Sequence, residues 1–435
     1  MSRPTATPPS PRGVPVLGNT IAFASDPFGF VRRSVESTGD VFRMRLLGRD
    51  VYVVGDPDHV ETVLLNREAF AKLEDFEVAF GDTLLSVEGE QWRRQRHAME
   101  GFFDPTRIAE FAETMVDVAE SHVDDWSSGR EIGVDDEMRS IALRNLFEVV
   151  LGHSLSATER DDLAADAHAL NNWFKPTSWV LPYWVPTPAR REFRRGSDRL
   201  RDWARSLLDD AQDGPDEESL LATLATLQDD PDSEFDRAEV LDQVVGMIFA
   251  GHETTALAMT YALHQIAAHP DIADRFHAEL DDVIDGRPSF ADLRELEYAE
   301  RVIDEALRLY PPVHAIPRET TERVDLGEYE IPGGEQVLLS VWSIHRDSRF
   351  YDEPLAFDPS RWEDTSPRER GYEFVPFGAG PRICIGRHFA RLEMKATLAA
   401  IGRRYRLDAD DEIDVTPQMT TQPAGPVNVR VTDRN

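Results

Sequence analysis

Over most of the chain, apolar residues repeat at helical spacing, with acidic residues and arginines on the outer positions. The longest such stretch, residues 235–269, predicts a helix of about 50 Å, because an α-helix rises about 1.5 Å per residue. Its middle, residues 244–250, is apolar on every side, which is typical of a buried helix. Residues 387–401 predict an amphipathic helix.

Two segments have the pattern of strands instead. Residues 41–54 alternate apolar and polar around Gly48-Arg49-Asp50, which predicts a β-hairpin. Residues 324–339 predict a second β region, with Pro332-Gly333-Gly334 as its turn. Residues 213–218 and 228–234 are polar and acidic and predict loops.

No internal repeat or linker divides the sequence. We therefore predict one domain over residues 1–435, mainly α with small β regions, after an extended proline-rich start at 1–18. No apolar run approaches the roughly 20 residues that span a bilayer, and the start lacks the apolar core of a signal peptide. The sequence predicts a cytoplasmic protein with no membrane span.

Charge is the most unusual part of the composition. The 81 acidic residues exceed the 47 basic ones and give a formal net charge of −34. Such a field argues against nucleic acid and anionic membranes as partners. The acids are spread along the whole chain, and Lys72, Lys175 and Lys395 are the only lysines. This pattern favours adaptation to very high salt, where self-repulsion is screened; the alternative is an acidic protein from ordinary salt.

Cys384 is the only cysteine, and it lies in the sequence Phe377-Gly378-Ala379-Gly380-Pro381-Arg382-Ile383-Cys384-Ile385-Gly386. A sole cysteine forms no internal disulfide, and the glycines allow the backbone to approach a flat cofactor closely. The predicted helix that follows would stabilise an anionic sulfur. A haem-bound thiolate fits this setting. The alternative is a small buried apolar side chain.

Residues Phe377, Gly380, Arg382, Cys384 and Gly386 match the haem-thiolate loop of the cytochrome P-450 family at every fixed position. The chain therefore resembles a cytochrome P-450 over nearly its whole length. The resemblance implies haem b (iron protoporphyrin) with Cys384 as the metal ligand and Phe377 among the cofactor-binding residues. It also implies a long central helix over the haem, with the thiolate loop on the opposite face.

The predicted central helix contains Gly251-His252-Glu253-Thr254-Thr255, which is locally unfavourable in a helix. Its hydroxyls can bond back to carbonyls and open the helix. By the resemblance, Gly251 leaves room for dioxygen, while Glu253 and Thr254 are catalytic and supply protons and a hydroxyl. The alternative is a tolerated polar patch, and we interpret His252 as structural.

Glu305 and Arg308 are three residues apart, so they share one face of a predicted helix. The resemblance implies that they join Arg361, from Phe357-Asp358-Pro359-Ser360-Arg361-Trp362, in a buried structural triad. Taken alone, the pair would be an ordinary surface pair.

The two carboxylates of haem need cationic or hydrogen-bonding partners. Trp92 and Arg96 are one helical turn apart and match the family's Trp-x-x-x-Arg helix. Arg318 and Arg382 match two further propionate positions. Each arginine taken singly would be a solvated surface residue.

Together these motifs imply a monooxygenase that acts on a small apolar substrate with dioxygen. Its electrons would come from a separate ferredoxin-type donor, which we predict to dock on Arg93, Arg94, Arg387 and Arg391; the alternative is that these arginines neutralise neighbouring acids. Three other functions stay open: a peroxide-driven peroxygenase or rearrangement enzyme, a non-catalytic haem-based ligand sensor, and a helical scaffold with a thiol.

Overall fold

The computed structural model describes residues 6–174, 185–211, 219–229, 235–409 and 412–434. These form two compact units. The first unit comprises Met1–Phe76, Leu307–Cys384 and Val415–Gln422; the second comprises Glu77–Ala306, Ile385–Asp414 and Pro423–Asn435.

The described helices, in chain order, are α1 Thr20–Ser25, α2 Pro27–Thr38, α3 Pro57–Leu65, α4 Glu74–Phe80, α5 Gly89–Glu100, α6 Pro105–Glu110, α7 Ala112–Val123, α8 Val134–Asn145, α9 Ala157–Leu170, α10 Pro188–Ala211, α11 Leu220–Asp229, α12 Arg237–Ala268, α13 Pro270–Val283, α14 Phe290–Glu295, α15 Glu297–Leu309, α16 Val341–Ile344 and α17 Arg387–Arg404. A π-turn, Leu146–Val150, extends α8, and 3₁₀ turns cover Asn171–Phe174, Pro359–Trp362, Gly371–Glu373 and Gly380–Arg382. The strands are β1 Val41–Leu46, β2 Arg49–Val54, β3 Phe70–Ala71, β4 Glu131–Gly133, β5 Ile316–Thr320, β6 Val324–Leu326, β7 Tyr329–Ile331, β8 Gln336–Leu339, β9 Tyr405–Asp408, β10 Val415–Pro417, β11 Thr421–Pro423 and β12 Asn428–Asp433.

The first unit is built on a five-stranded sheet in the order β1-β2-β8-β5-β3. The predicted hairpin is confirmed, since β1 and β2 pair antiparallel in the register Val41↔Val54 to Leu46↔Arg49. Gly48, with φ of 87°, makes the turn that reverses the chain. The inward residues of the hairpin are buried in the apolar core of this unit, and the proline-rich start is tied to it where the Arg43 amide donates to the Pro9 carbonyl at 2.8 Å.

The predicted second β region exists, and Pro332-Gly333-Gly334 is one of its turns. A second turn, which was not predicted, lies at Gly327 between β6 and β7, and these two strands pair antiparallel as a two-stranded sheet. The segment Pro332-Gly333-Gly334 instead leads from β7 to β8, a strand of the five-stranded sheet that runs parallel to β2. Both turns have a glycine at positive φ, Gly327 and Gly334.

The second unit is mostly helical and is organised around α12, which confirms the predicted long helix. Asp236 caps its start by accepting from the Glu239 amide at 2.8 Å. Nearly the whole of α12 from Val240 onward is buried, because the helix is apolar on all sides through its middle. The helix predicted at 387–401 is α17, and β12 lies between β4 and β9 in a three-stranded sheet.

The predicted loop at 213–218 lies outside the described residues, as do residues 230–234 of the second predicted loop. Gln228 belongs to α11 rather than to that loop.

Candidate active site

In the first unit, the cysteine loop is held by its own backbone. The Cys384 amide donates to the Phe377 carbonyl at 2.9 Å, and the Ile383 amide donates to the Gly380 carbonyl at 3.2 Å. Gly378 and Gly380 adopt φ of 67° and 68°, which a side chain would strain. A Cβ on Gly380 would also lie 3.1 Å from a methyl carbon of Leu65. The loop therefore depends on its glycines, and it leaves Cys384 exposed.

A buried histidine fixes the segment that leads into this loop. The His345 Nδ1 donates to the Arg308 carbonyl at 3.1 Å, and its Nε2 accepts from the Val375 amide at 3.0 Å. These two bonds specify the neutral ring, and burial, together with the nearby Arg308 guanidinium, lowers the pKa of His345 to about 3. No local pattern in the sequence predicted this role, because the three residues meet only in the folded chain.

The structure ties both predicted propionate arginines of the first unit to the same region of the five-stranded sheet. Arg318 is a buried residue of β5, and its Nη1 donates to the Pro317 carbonyl at 2.7 Å. The Nη1 of Arg382 donates to the carbonyl of Phe70 in β3 at 3.2 Å, and β3 pairs with β5. Backbone contacts thus orient both side chains.

Two members of the predicted triad meet in the first unit. Arg308 is fully buried and donates to the carbonyls of His345, Pro354 and Ala356 at 2.6, 2.7 and 3.0 Å. Arg361 donates to the Asp352 carbonyl at 3.0 Å and lies 3.5 Å from the Ala356 carbonyl.

Both guanidinium groups also lie over the Tyr351 ring, with centroid distances of 5.0 Å for Arg308 and 6.0 Å for Arg361. Glu305 is fully buried on α15, the helix that also carries Arg308. Its place in a triad with the two arginines stays a prediction.

In the second unit, the polar segment of α12 does not interrupt the helix. The Thr254 hydroxyl donates to the Ala250 carbonyl at 2.7 Å, and the Thr255 hydroxyl donates to the Gly251 carbonyl at 3.1 Å. This back-bonding was predicted, but α12 runs through it without a break. A Cβ on Gly251 would lie 3.0 Å from a methyl carbon of Leu146, at the π-turn, so the glycine also permits close packing.

Glu253 is buried beside Thr254, with only 2% of the residue exposed. Its Oε2 accepts from Asn171 Nδ2 at 2.6 Å, and its Oε1 lies 3.9 Å from His168 Nδ1. The neighbouring His252 donates from Nδ1 to the Ile248 carbonyl at 3.1 Å, and burial lowers the pKa of His252. His252 is thus bound to its own helix, and its structural role stays a prediction. Asn171 was not predicted, because it lies 82 residues away along the chain.

Helix α5 carries the other two predicted propionate residues, the buried Trp92 and the half-buried Arg96. The helix is fixed to α12 through Glu239, which accepts from Arg94 Nη2 at 2.8 Å and from the side-chain Nε2 of Gln95 at 2.6 Å. The orientation of α5 is therefore set by a buried acid.

The predicted arginine surface is partly occupied by ion pairs within the second unit. Arg391 binds the carboxylates of Glu300 and Asp304, and Arg94 binds Glu239. For these two arginines the structure supports the alternative, in which they neutralise neighbouring acids. Arg93 is exposed and pairs with the exposed Glu90.

Comparison with known proteins places these observations in one family. The family model described as Cytochrome P450 matches residues 8–431. This chain belongs to the cytochrome P450 family. The mainly helical fold with small sheets and the haem-thiolate cofactor follow from membership. Among the residues that the structure describes, no helix is both long and apolar enough to cross a membrane.

Three bacterial members illustrate the similarity. A cyclooctat-9-en-7-ol 5-monooxygenase of Streptomyces melanosporofaciens is 34% identical over 93% of this chain and 90% of its own length. A cyclooctatin synthase of the same organism is 33% identical over 97% of this chain and 94% of its own. A pentalenene oxygenase of Streptomyces avermitilis is 31% identical over 94% of this chain and 93% of its own. The chain is accordingly a P450 monooxygenase.

The residues present fit a thiolate-bound haem. The sole thiol of the chain is exposed on a loop whose turns need glycine, and two arginines of the same unit, each oriented by a backbone carbonyl, have the charge that the carboxylates require. This donor set suits a flat, dianionic cofactor with a soft axial ligand.

Proposed function

We propose that this P450 inserts one oxygen atom from dioxygen into an apolar organic substrate, with electrons from a separate ferredoxin-type donor. The observation that supports this most strongly is the segment Gly251, Glu253 and Thr254 on α12. It combines a buried acid with an adjacent hydroxyl, and reductive cleavage of dioxygen consumes protons inside a dry site.

The proposal assigns haem b to named residues. Cys384 holds the iron, Phe377 contacts the cofactor, and Trp92, Arg96, Arg318 and Arg382 bind its propionates. When bound, thiolate-ligated haem supplies the reductive activation of dioxygen.

Glu253 and Thr254 have distinct parts in the proposal. The Glu253 carboxylate takes up a proton and releases it toward the substrate side. The Thr254 hydroxyl donates to the Ala250 carbonyl, so its oxygen remains able to accept from a water that relays the proton.

Apolar side chains support a hydrocarbon-rich substrate. In the second unit, Phe80 packs on Phe249 with ring centroids 4.4 Å apart, and Trp173 packs on Phe193 at 4.9 Å. Two relatives act, by their names, on an unsaturated alcohol and on pentalenene. We therefore propose an alkene or alkenol as the first substrate class to test.

The electron donor is proposed to dock near Arg93, because Arg93 and its partner Glu90 are both exposed, whereas the other arginines of that surface are half-buried. Replacing Arg93 with glutamate should slow reduction by an acidic ferredoxin, and the effect should fade with salt. An unchanged reduction rate at low salt would place the donor elsewhere.

The monooxygenase and the peroxide-driven alternative are separated by one variant. With ¹⁸O₂ and reductant, wild-type product should contain one labelled oxygen, and Thr254→Ala should divert reductant to peroxide while peroxide-supported turnover persists. Wild-type turnover with peroxide alone, and none with dioxygen and reductant, would favour the peroxygenase.

We also propose that the protein works at high salt. The net charge of −34 and the near absence of lysine support this, because self-repulsion on such a surface falls as ions screen it.

A further inference from the structure

Glu253 contacts two side chains at the end of α9 that its proposed part in catalysis leaves unexplained. Its Oε2 accepts from Asn171 in the 3₁₀ turn after α9, and its Oε1 faces His168 near the end of α9. Two side chains from one neighbouring segment therefore converge on a single buried carboxylate.

The exposure of these groups differs sharply. The His168 side chain is 60% exposed, whereas that of Glu253 is 2% exposed. The distance of 3.9 Å between His168 Nδ1 and Glu253 Oε1 exceeds a hydrogen bond, so proton transfer requires the exposed imidazole to rotate toward the carboxylate. The pair thus spans from solvent to the interior.

Asn171 is suited to both protonation states of Glu253. Its Nδ2 donates to the carboxylate, while its Oδ1 is buried and makes no hydrogen bond within the described part of the chain. A turn of the amide would exchange the two atoms, and Oδ1 would then accept from the protonated carboxyl group.

Other charged groups around α9 do not substitute for His168. Arg199 of α10 pairs with Asp166, and Arg139 of α8 pairs with Asp135 and Asp136. His252, on α12, already uses its Nδ1 proton for a backbone carbonyl. Only His168 is both exposed and able to give a proton to Glu253 among these groups.

We propose that His168 and Asn171 form the proton-loading site of Glu253, an inference that rests on the proposed monooxygenase function. The His168 imidazolium gives its Nδ1 proton to Glu253 Oε1, and the neutral imidazole recovers a proton from bulk water. Glu253 then passes that proton inward and returns to the carboxylate. Asn171 is a positioning residue that holds the carboxyl group toward His168.

The test uses His168→Gln, His168→Ala and Asn171→Leu in the full-length, haem-loaded enzyme. His97→Gln is the matched control, because His97 is an exposed histidine paired with Glu100 at 2.9 Å on another helix. The readouts are product formed per reductant consumed, the solvent isotope effect, and the infrared band of the Glu253 carboxyl group, identified by its loss in Glu253→Gln.

We expect the proton-dependent rate to fall on the order of tenfold in His168→Gln, with more peroxide released and a larger solvent isotope effect. Added imidazole should restore His168→Ala, and Asn171→Leu should shift the infrared band. His97→Gln should match the wild type.

The inference is overturned if both His168 variants form as much product per reductant consumed as the wild type, or if added imidazole does not restore the activity of His168→Ala. A shift of the infrared band would not rescue the inference in either case. Wild-type protein that forms no coupled product would instead defeat the proposed function, so the two failures are distinguishable.

Discussion

Replacing Arg308 should reveal how strongly one buried guanidinium organises the first unit. Arg308 is fully buried and donates to three backbone carbonyls, at 2.6, 2.7 and 3.0 Å. A buried group left without its partner costs about 1–3 kcal/mol, so three orphaned carbonyls cost about 3–9 kcal/mol. Apolar contacts of an introduced methionine offset part of this, and we expect Arg308→Met to lower the free energy of unfolding by about 4 kcal/mol.

The matched control is Arg361→Met, which removes a guanidinium from the same Tyr351 ring. Arg361 is half-buried, donates to the Asp352 carbonyl at 3.0 Å, and lies 3.5 Å from the Glu353 and Ala356 carbonyls, so the expected loss is about 1 kcal/mol. Guanidinium denaturation followed by circular dichroism, at constant salt, measures both. Equal losses for the two variants, or a loss of less than about 1 kcal/mol for Arg308→Met, would show that the buried guanidinium does not stabilise the first unit in this way.

Three further predictions concern stability. Burial raises the pKa of Glu393 to about 8, so the protonated carboxyl group stabilises the fold fully at low pH, and this stabilisation is lost as pH rises from about 4.5 through 8. Glu393→Gln should therefore flatten the pH dependence of the urea midpoint over this range, and an unchanged slope would contradict the prediction. Gly380→Ala should lower the free energy of unfolding by about 1–3 kcal/mol, because Gly380 has a positive φ. The control Gly101→Ala should be close to neutral, because Gly101 has an ordinary φ and open space around it. Similar losses in both variants would show that the positive φ at Gly380 is not the cause. Raising potassium chloride toward about 1 M should raise the unfolding midpoint as charge is screened, and a midpoint that falls would argue against adaptation to high salt.

The sequence predicted best those features that local pattern determines. The length and burial of α12 followed from its apolar periodicity, and the cysteine loop followed from fixed spacing around Cys384. The hairpin of β1 and β2 followed from alternation around Gly48. In each case the decisive residues are close together along the chain.

The features that escaped prediction depend on contacts between distant residues. His345, Asn171 and Glu239 are single polar side chains whose partners lie on other elements, so no spacing identifies them. The same cause explains why the docking surface was only partly correct. The sequence predicted Arg391 as a docking residue for a partner protein, whereas in the folded chain it pairs with Glu300, 91 residues away. The turn at Gly327 was missed because strand pairing, rather than turn composition, decides which strands form a hairpin.

The most direct test of the account is the spectrum of the reduced protein with carbon monoxide, compared between the wild type and Cys384→Ser. We expect a strongly red-shifted Soret band in the wild type, because the thiolate donates electron density to the iron, and loss of that band in the variant. A haem spectrum without the red shift in the wild type, or an identical shifted band in Cys384→Ser, would contradict ligation by the Cys384 thiolate.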